Sequence, residues 1–309
     1  MKRRVILDVD TGVDDALALA YAVHSPELEL LGVTTCFGNV TAEEATRNTL
    51  AVLESLGEGG SGRIPVVEGA KETLRRGEKP KYSRHVHGED GLGNALKTPP
   101  QGSAQPGNAA DFIIAEVRRR PHEVTIISVG PLTNLAQAIE RDPGIVPLVR
   151  EVIVMGGAVG VPGNVTPYGE ANIVADPEAA AAVFAAGLPL TLVGLDVTLQ
   201  TLLPRTQLDV WRASGRRDAL FLAEMCEHYM GFYESCYPGL GGCGLHDPLA
   251  VGVAVDPSLV KAEPMRVTVV TEGEETGRTV GTAEGEPKIR VCTAVDADRF
   301  LKHFLSRVV

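Results

Sequence analysis

The sequence predicts an α/β protein, a single domain whose mainly parallel, Rossmann-like central sheet is flanked by helices. Apolar runs of strand length recur along most of the chain, and segments with helical periodicity separate them. The 34 glycines and 20 prolines exceed what a helical bundle tolerates and indicate many tight connections. No linker rich in proline, serine or charge divides the chain, and no internal repeat is present, which favours one domain over residues 1–309.

The predicted elements alternate along the first two thirds of the chain. Because parallel strands are buried on both faces, they have near-continuous apolar runs, and such runs predict strands at Val5–Asp10, Leu28–Thr35, Val124–Val129, Val152–Met155 and Leu190–Asp196. Helical patterns fill the intervals, at Asp14–Val23, Ala42–Leu56, Ala109–Arg119, Leu132–Glu140 and Pro177–Ala186. Asp176 followed by Pro177 is ordinary helix-start chemistry and supports the last of these helices.

The alternation changes in the last third. Two helices are predicted around Leu203–Ala213 and Leu220–Glu234, and they lead into an apolar segment at Pro248–Val255. A strand-rich stretch from Met265 to Val295 and a closing helix near Ala297–Val309 complete the chain. The segments Gly69–Gly107 and Gly239–Gly244 have no predicted element, and long loops in compact domains are often functional lids.

The composition excludes several classes of partner. Lys and Arg number 29 against 40 Asp and Glu, a net charge of −11, which gives no electrostatic footprint for nucleic acid or for anionic membranes. The apolar stretch before Asp8 is too short for a signal peptide, and Gly187 and Pro189 interrupt the longest uncharged apolar run. Five cysteines without paired spacing favour a reducing compartment. We therefore expect a cytoplasmic protein with a small-molecule ligand.

The strongest signal is the stretch Asp8-Val9-Asp10-Thr11-Gly12-Val13-Asp14-Asp15, where a buried strand ends, turns and starts a helix. Asp14 and Asp15 fall in the first helical turn, where the helix dipole favours negative charge. Together with Asp10 they repel one another strongly unless a cation neutralises them. Clustered carboxylate oxygens favour Ca²⁺ or Mg²⁺ over zinc. The alternative is a helix start with surplus acids.

Polar loops follow the neighbouring predicted strands and would meet this motif at one edge of the sheet. They are Gly38-Asn39, Val129–Asn134 and Met155–Gly157. The tract Asn164–Asn172 adds amides and the carboxylate of Glu170, which suit a polyhydroxylated sugar, although alone it is equally a polar loop. Asp247 with Pro248 is also a plain helix start, distinguished only by the adjacent His246 and the preceding glycines.

Taken jointly, these residues resemble the nucleoside hydrolase family, the ribohydrolases that cleave the N-glycosidic bond of ribonucleosides. Asp8–Asp15 matches the family's amino-terminal DxDxxxDD signature without a departure. The ordered match spans most of the chain and continues through Asn39, His87–Gly93, Val129–Asn134, Met155–Gly157, Gly163-Asn164 with Glu170 and Asn172, and His246-Asp247-Pro248.

The resemblance implies a Ca²⁺ ion held by Asp10, Asp15, Asp247 and the backbone carbonyl of Val129. It also implies that Asp10 accepts a proton from a metal-bound water that attacks the anomeric carbon. Ribose hydroxyls would be held by Asp14, Asn39, Asn164, Glu170 and Asn172, with Met155 packed in the sugar pocket. Because the nucleoside is neutral and the transition state is oxocarbenium-like, an anionic pocket suits the reaction.

The departing base must be protonated or held by hydrogen bonds. The resemblance favours His246 as the acid, since the unperturbed pKa of histidine lies close to neutrality, with His87 also facing the base. His246 before Asp247 is typical of the branch that handles inosine and uridine or prefers pyrimidines. The single Trp, Trp211, lies in a predicted peripheral helix, whereas Tyr229, Tyr233 and Tyr237 share one helical face and either line the base pocket or pack in the core.

Two other functions remain open from the sequence. A Ca²⁺-dependent ribose- or nucleoside-binding protein would use the same oxygens without turnover. A haloacid-dehalogenase-like phosphatase would make Asp8 a nucleophile, but it leaves Asp14, Asp15 and His246-Asp247 unexplained. The family resemblance also implies a homo-oligomer, a dimer or a tetramer, and a role in nucleoside salvage.

Overall fold

The computed structural model describes residues 2–58, 64–75 and 81–309. Its strands are β1 (Arg3–Val9), β2 (Leu28–Thr35), β3 (Val66–Glu68), β4 (Val124–Ser128), β5 (Glu151–Met155), β6 (Leu190–Val193), β7 (Leu202–Pro204), β8 (Gly242–Gly244), β9 (Val260–Val269), β10 (Thr279–Thr282) and β11 (Ile289–Val295). Its α-helices are α1 (Val13–Val23), α2 (Ala42–Ser55), α3 (Arg84–His87), α4 (Ala109–Arg119), α5 (Thr133–Arg141), α6 (Ala171–Ala175), α7 (Pro177–Ala185), α8 (Leu195–Thr198), α9 (Thr206–Ala213), α10 (Arg217–Cys236), α11 (His246–Val255) and α12 (Ala297–Val308).

A nine-stranded sheet organises these elements, in the order β10-β9-β11-β6-β5-β4-β1-β2-β3. The pairs from β3 through to β11 are parallel, and only β9 runs antiparallel to its neighbours β10 and β11. A short antiparallel pair, β7 with β8, lies apart from this sheet. The predicted α/β class with a mainly parallel sheet is confirmed.

Helices cover both faces of the sheet, because each central strand is apolar on both sides. Leu7 of β1 packs with α1, α10, α11 and α12 on one face, whereas its neighbour Ile6 packs with α4, α5 and α7 on the other. Local chemistry starts several of the helices. Thr41 and Glu44 form a reciprocal capping box at α2, and Asp176 caps α7 ahead of Pro177.

The sheet changes direction at β1, and this is where the polar loops gather. The chain runs from β1 outward through β2 to β3, and then returns to place β4 on the other side of β1. Open α/β sheets bind ligands at such a switch point, beyond the carboxyl ends of the strands. Asp10 follows β1 and Val129 follows β4, so these residues flank the switch point.

Several element boundaries differ from the predictions. The strand predicted to reach Asp196 ends at Val193, and α8 begins two residues later, at Leu195. Gly194 lies between them against the Gly157 carbonyl, where a Cβ would stand 2.9 Å from the oxygen. Leu203 and Pro204, predicted as the start of a helix, belong to β7, which pairs with β8 inside the glycine tract left unassigned. The loop Gly69–Gly107 contains α3, while its residues 76–80 lie outside the described part of the chain. None of the described helices is long and apolar enough to cross a membrane.

Candidate active site

The motif after β1 folds so that its carboxylates face inward. Gly12 ends the extended segment and α1 begins at Val13, which places Asp14 and Asp15 in the first turn. Asp15 accepts hydrogen bonds from the backbone N–H groups of Asp10, at 3.2 Å, and Gly12, at 2.8 Å. Asp15 thus closes the turn that brings the acids together.

Three carboxylates meet at this point. Asp14, Asp15 and Asp247 each offer an oxygen within 4.8 Å of the others, and all three side chains are buried. Asp247 comes from the first turn of α11, which packs directly on α1. Asp10 adjoins the group, and its Oδ2 accepts from the backbone N–H of Asn39 at 2.7 Å. Two of the predicted metal carboxylates, Asp15 and Asp247, therefore meet, and the third member of the group is Asp14, which the resemblance assigned to the ribose.

The electrostatics of this cluster fit a hard cation. Burial and the charge of Asp15 raise the pKa of Asp14 to about 8, and burial raises that of Asp15 to about 6. Burial and neighbouring carboxylates hold the pKa values of Asp10 and Asp247 well above the ordinary range. Asp10 Oδ1 and Asp14 Oδ1 are buried without a hydrogen-bond partner among the described residues. Buried oxygens left in this state are ligands of the kind that Ca²⁺ and Mg²⁺ bind.

The residue predicted to supply a carbonyl ligand, Val129, lines the same cavity as Asp14 and Asp247. Its carbonyl accepts a hydrogen bond from Asn172 Nδ2 at 2.8 Å. The same amide donates to the carbonyl of Met155 at 3.2 Å. Gly130, the residue after Val129, lies against Asp10, because a Cβ at Gly130 would stand 2.8 Å from Asp10 Oδ1.

The predicted ribose residues line a cavity that they share with Val129 and Asp247. The cavity has a volume of about 540 Å³. Glu170 caps α6 by accepting from the N–H groups of Asn172 and Ile173, and it also accepts from Gly157 at 2.9 Å. Asn164 accepts from the N–H of Ala171 at 3.1 Å, which ties the loop to the helix start. The lining also includes Asp14, Asn39, Met155, Asn172 and Asp247. One side of the cavity is therefore rich in fixed donors and acceptors.

Comparison with known proteins decides the family. The sequence matches the inosine-uridine preferring nucleoside hydrolases over residues 5–302. Uridine nucleosidase 1 of Arabidopsis thaliana is 40% identical over 278 residues, covering 90% of this chain and 81% of that protein. The pyrimidine-specific ribonucleoside hydrolase RihB of Escherichia coli is 36% identical over 305 residues, covering 97% and 95%. A solved purine-preferring ribonucleoside hydrolase from Gardnerella vaginalis superposes with a TM-score of 0.94 at 41% identity, covering 99% and 98%.

The chain belongs to the inosine-uridine preferring nucleoside hydrolase family. The resemblance expected from the sequence is confirmed, and so is the fold. This nucleoside hydrolase acts on the N-glycosyl bonds of ribonucleosides.

The other side of the hydrolase's cavity is aromatic. His87 stacks on Tyr229 with ring centroids 5.4 Å apart, and the Tyr229 hydroxyl donates to Asp14 Oδ2 at 3.3 Å. His87 Nδ1 accepts from the backbone N–H of Val13 at 3.1 Å, so its neutral ring carries the proton on Nε2. Burial lowers the pKa of His87 to about 3 and keeps the ring neutral at neutral pH.

His246 is held at both ring nitrogens. Its Nε2 lies 2.6 Å from the Tyr233 hydroxyl, and its Nδ1 lies 2.8 Å from Thr198 Oγ1. Gly244 makes room for the pair, since a Cβ there would come within 2.6 Å of the Tyr233 hydroxyl. Burial lowers the pKa of His246 to about 4. The unperturbed value close to neutrality therefore does not apply to His246 in this environment.

Residues that the sequence did not single out also shape the site. Thr198 positions His246 but lies at the end of α8, beyond the strand predicted to end at Asp196, so no motif marked it. Phe232 and Leu199 line the cavity mouth near Tyr237, which is 47% exposed. Trp211 belongs to α9 as predicted, but its side chain is 1% exposed in the core rather than peripheral, and it is not among the cavity-lining residues.

The structure also bears on the phosphatase alternative. Asp8, the nucleophile in that reading, is fully buried and accepts from Thr34 Oγ1, Ser128 Oγ and Asn134 Nδ2. It is not among the residues that line the cavity. A carboxylate enclosed in this way has no access to a phosphate ester.

Proposed function

We propose that this nucleoside hydrolase uses Ca²⁺ to cleave the N-glycosidic bond of ribonucleosides, with inosine and uridine or pyrimidine nucleosides preferred. The observation that carries the proposal is the buried carboxylate cluster with the unpartnered oxygens of Asp10 and Asp14, at the base of a cavity with a polar and an aromatic wall. Ca²⁺ is favoured over Mg²⁺ because Asp10, Asp15, Asp247 and the Val129 carbonyl would together supply four protein oxygens, whereas Mg²⁺ usually keeps several waters.

The metal would be held by the carboxylates of Asp10, Asp15 and Asp247 and the carbonyl of Val129. When bound, a divalent cation lowers the pKa of a coordinated water and orients it for attack. Asp10 Oδ1 has no hydrogen-bond partner among the described residues, whereas its Oδ2 is fixed by Asn39. Asp10 can therefore accept the proton of the attacking water while its own orientation is maintained.

The polar wall would bind the ribose. Asp14, Asn39, Asn164, Glu170 and Asn172 offer the hydroxyls both donors and acceptors, and Met155 supplies an apolar contact. Because these acids lie in a buried site, their negative charge stabilises the positive charge that develops on the sugar as the bond breaks.

The aromatic wall would bind and protonate the base. His246 and the Tyr233 hydroxyl form one hydrogen-bonded pair, so a proton can pass from the pair to the departing base. Because the pKa of His246 is about 4, its protonated form is a strong acid but only a minor species at neutral pH. His87 Nε2–H would donate a hydrogen bond to the base, and Tyr229 would stack beside it.

The base preference rests on residues of this chain, because the relatives differ. One is named a uridine nucleosidase, another a pyrimidine-specific hydrolase and a third purine-preferring. The preference for inosine and uridine or pyrimidines is supported by His246 before Asp247 and by a base wall of tyrosines that lacks Trp211. The cytoplasmic location, one catalytic domain over residues 1–309, a homodimer or homotetramer and a role in salvage stay predictions, and light scattering of the purified protein tests the assembly.

The test is a nucleoside panel. Purified protein is incubated with uridine, cytidine, inosine and adenosine in the presence of Ca²⁺ and the absence of phosphate, and free base is measured by reverse-phase chromatography. We expect uracil or hypoxanthine to be released faster than adenine. Adenosine cleaved fastest would overturn the base preference, and binding without release of any base would favour the nucleoside-binding alternative.

A further inference from the structure

The carboxylate of Asp8 is buried beneath the metal cluster and takes no part in the proposed reaction. Its Oδ1 accepts from Thr34 Oγ1 at 2.6 Å and from Asn134 Nδ2 at 2.8 Å, and its Oδ2 accepts from Ser128 Oγ at 3.1 Å. Burying a carboxylate costs folding free energy, and hydrogen-bond donors such as these three offset that cost.

The donors come from three different elements. Thr34 of β2 and Ser128 of β4 stand directly opposite Asp8 in the two strand pairs that flank β1. Asn134 lies on α5, which covers the sheet. Besides its bond to Asp8, its side chain donates to the Thr35 carbonyl at 3.0 Å and accepts from the Ala70 N–H at 2.8 Å. One side chain therefore fastens the central strand to both neighbours and to a covering helix.

Each fastened strand continues into a wall of the candidate metal site. β1 leads to Asp10, β2 to Asn39 and β4 to Val129, whose N–H donates to the Asp8 carbonyl at 2.8 Å. The carboxylates of this site repel one another, and that repulsion pushes the strand ends apart. Hydrogen bonds directly beneath the site oppose that displacement, because separating one strand end leaves a buried acceptor unpaired.

We propose that Asp8 is a positioning residue, which holds the ends of β1, β2 and β4 together so that Asp10 and the Val129 carbonyl converge on the metal. The proposal rests on the Ca²⁺ site of the proposed function. In this role Asp8, the first acid of the amino-terminal motif, acts without touching either the metal or the substrate.

The experiment measures Ca²⁺ affinity by calorimetric titration of chelator-treated full-length protein. Thr34→Val keeps the size of the side chain but removes one donor, and we expect Ca²⁺ to bind about tenfold more weakly, at the low end of the effect of residues that orient metal ligands. Asp8→Ala should weaken binding further. Asp8→Asn should restore most of the affinity, since its amide oxygen still accepts from Thr34 and Asn134 while the Ser128 hydroxyl turns to accept.

Asp176→Asn is the matched control. Asp176 is an equally buried acid that accepts from Thr133 Oγ1, the Leu74 N–H and the Ala179 N–H, but it caps α7 rather than joining strand ends. Its variant should lose thermal stability and keep wild-type Ca²⁺ affinity. Wild-type affinity in Thr34→Val and Asp8→Ala would overturn the positioning role alone. Failure of the wild-type protein to bind Ca²⁺ would overturn the proposed metal site, and the positioning role with it.

Discussion

Removing the metal should make the protein less stable as the pH rises from 6.5 to 8. In the metal-free fold the pKa of Asp14 is about 8, against an ordinary value of 3.8. Within this interval the folded protein holds a proton that the unfolded chain has released, so the free energy of unfolding falls with increasing pH. Saturating Ca²⁺ should abolish the slope, because the carboxylates are then ionised in the folded state and paired with the cation.

The magnitude follows from the size of the interval. One such group changes the free energy of unfolding by about 1.4 kcal/mol per pH unit, so Asp14 alone accounts for about 2 kcal/mol between pH 6.5 and 8. Asp10 and Asp247, whose pKa values are also raised, act in the same direction. The two buried histidines oppose this change in the lower part of the interval. Burial lowers the pKa values of His87 and His246 to about 3 and about 4, so near pH 6.5 the unfolded chain binds protons there that the folded protein does not. Together they offset roughly 0.8 kcal/mol of the loss, and their effect vanishes above about pH 7.5.

The assay is chemical denaturation at several pH values, with chelator and with Ca²⁺. Asp14→Asn should flatten the slope in chelator. Asp142→Asn changes a surface acid that pairs with Arg118 and has a pKa below its ordinary value, so it should leave the slope as in the wild type. A metal-free stability that stays constant or rises across this interval would refute the electrostatic reasoning. So would a slope of the same size with and without Ca²⁺.

Three substitutions test individual roles. Asp10→Asn should lower kcat for uridine by roughly 10²- to 10⁴-fold, since it removes the proton acceptor; a nearly normal kcat would exclude that role. His246→Ala should slow uridine cleavage by about 10²-fold but scarcely affect an activated nitrophenyl riboside, and equal losses on both substrates would argue against proton donation to the base. Tyr229→Phe removes the hydroxyl that donates to Asp14 and should raise KM for uridine about fivefold, a loss of about 1 kcal/mol, with kcat little changed; a fall in kcat at constant KM would contradict this assignment.

Regular patterns predicted most of the fold. β2 and α4 have the predicted boundaries. Leu28–Thr35 is a mainly apolar run that ends in β-branched residues, and Ala109–Arg119 is strongly periodic with a capping Asn108. β3 and β8 escaped prediction for a physical reason. Each has three residues, and β8 contains two glycines, so both are strands only because a neighbouring strand pairs with them.

Some features of the site follow from local sequence, and others depend on tertiary packing. The acids from Asp8 to Asp15 are close in sequence, and strand-turn-helix geometry suffices to bring them together. The meeting of Asp247 with Asp14 and Asp15 depends on the packing of α11 against α1, which no local pattern contains. The same is true of the Tyr233–His246 hydrogen bond and of the burial that lowers the pKa of His246. Family resemblance placed Asp247 with the other acids on the basis of ordered motifs, but it did not predict the burial of His246.

The most direct test of the central claim is uridine cleavage in water labelled with ¹⁸O, with Ca²⁺ present and phosphate absent. Mass spectrometry of the products then shows which fragment has received the oxygen of the attacking water. We expect ribose that carries one ¹⁸O atom and unlabelled uracil, and neither product once the metal is removed with a chelator. Intact uridine, or cleavage that continues unchanged in the chelator, would contradict metal-dependent hydrolysis at this site.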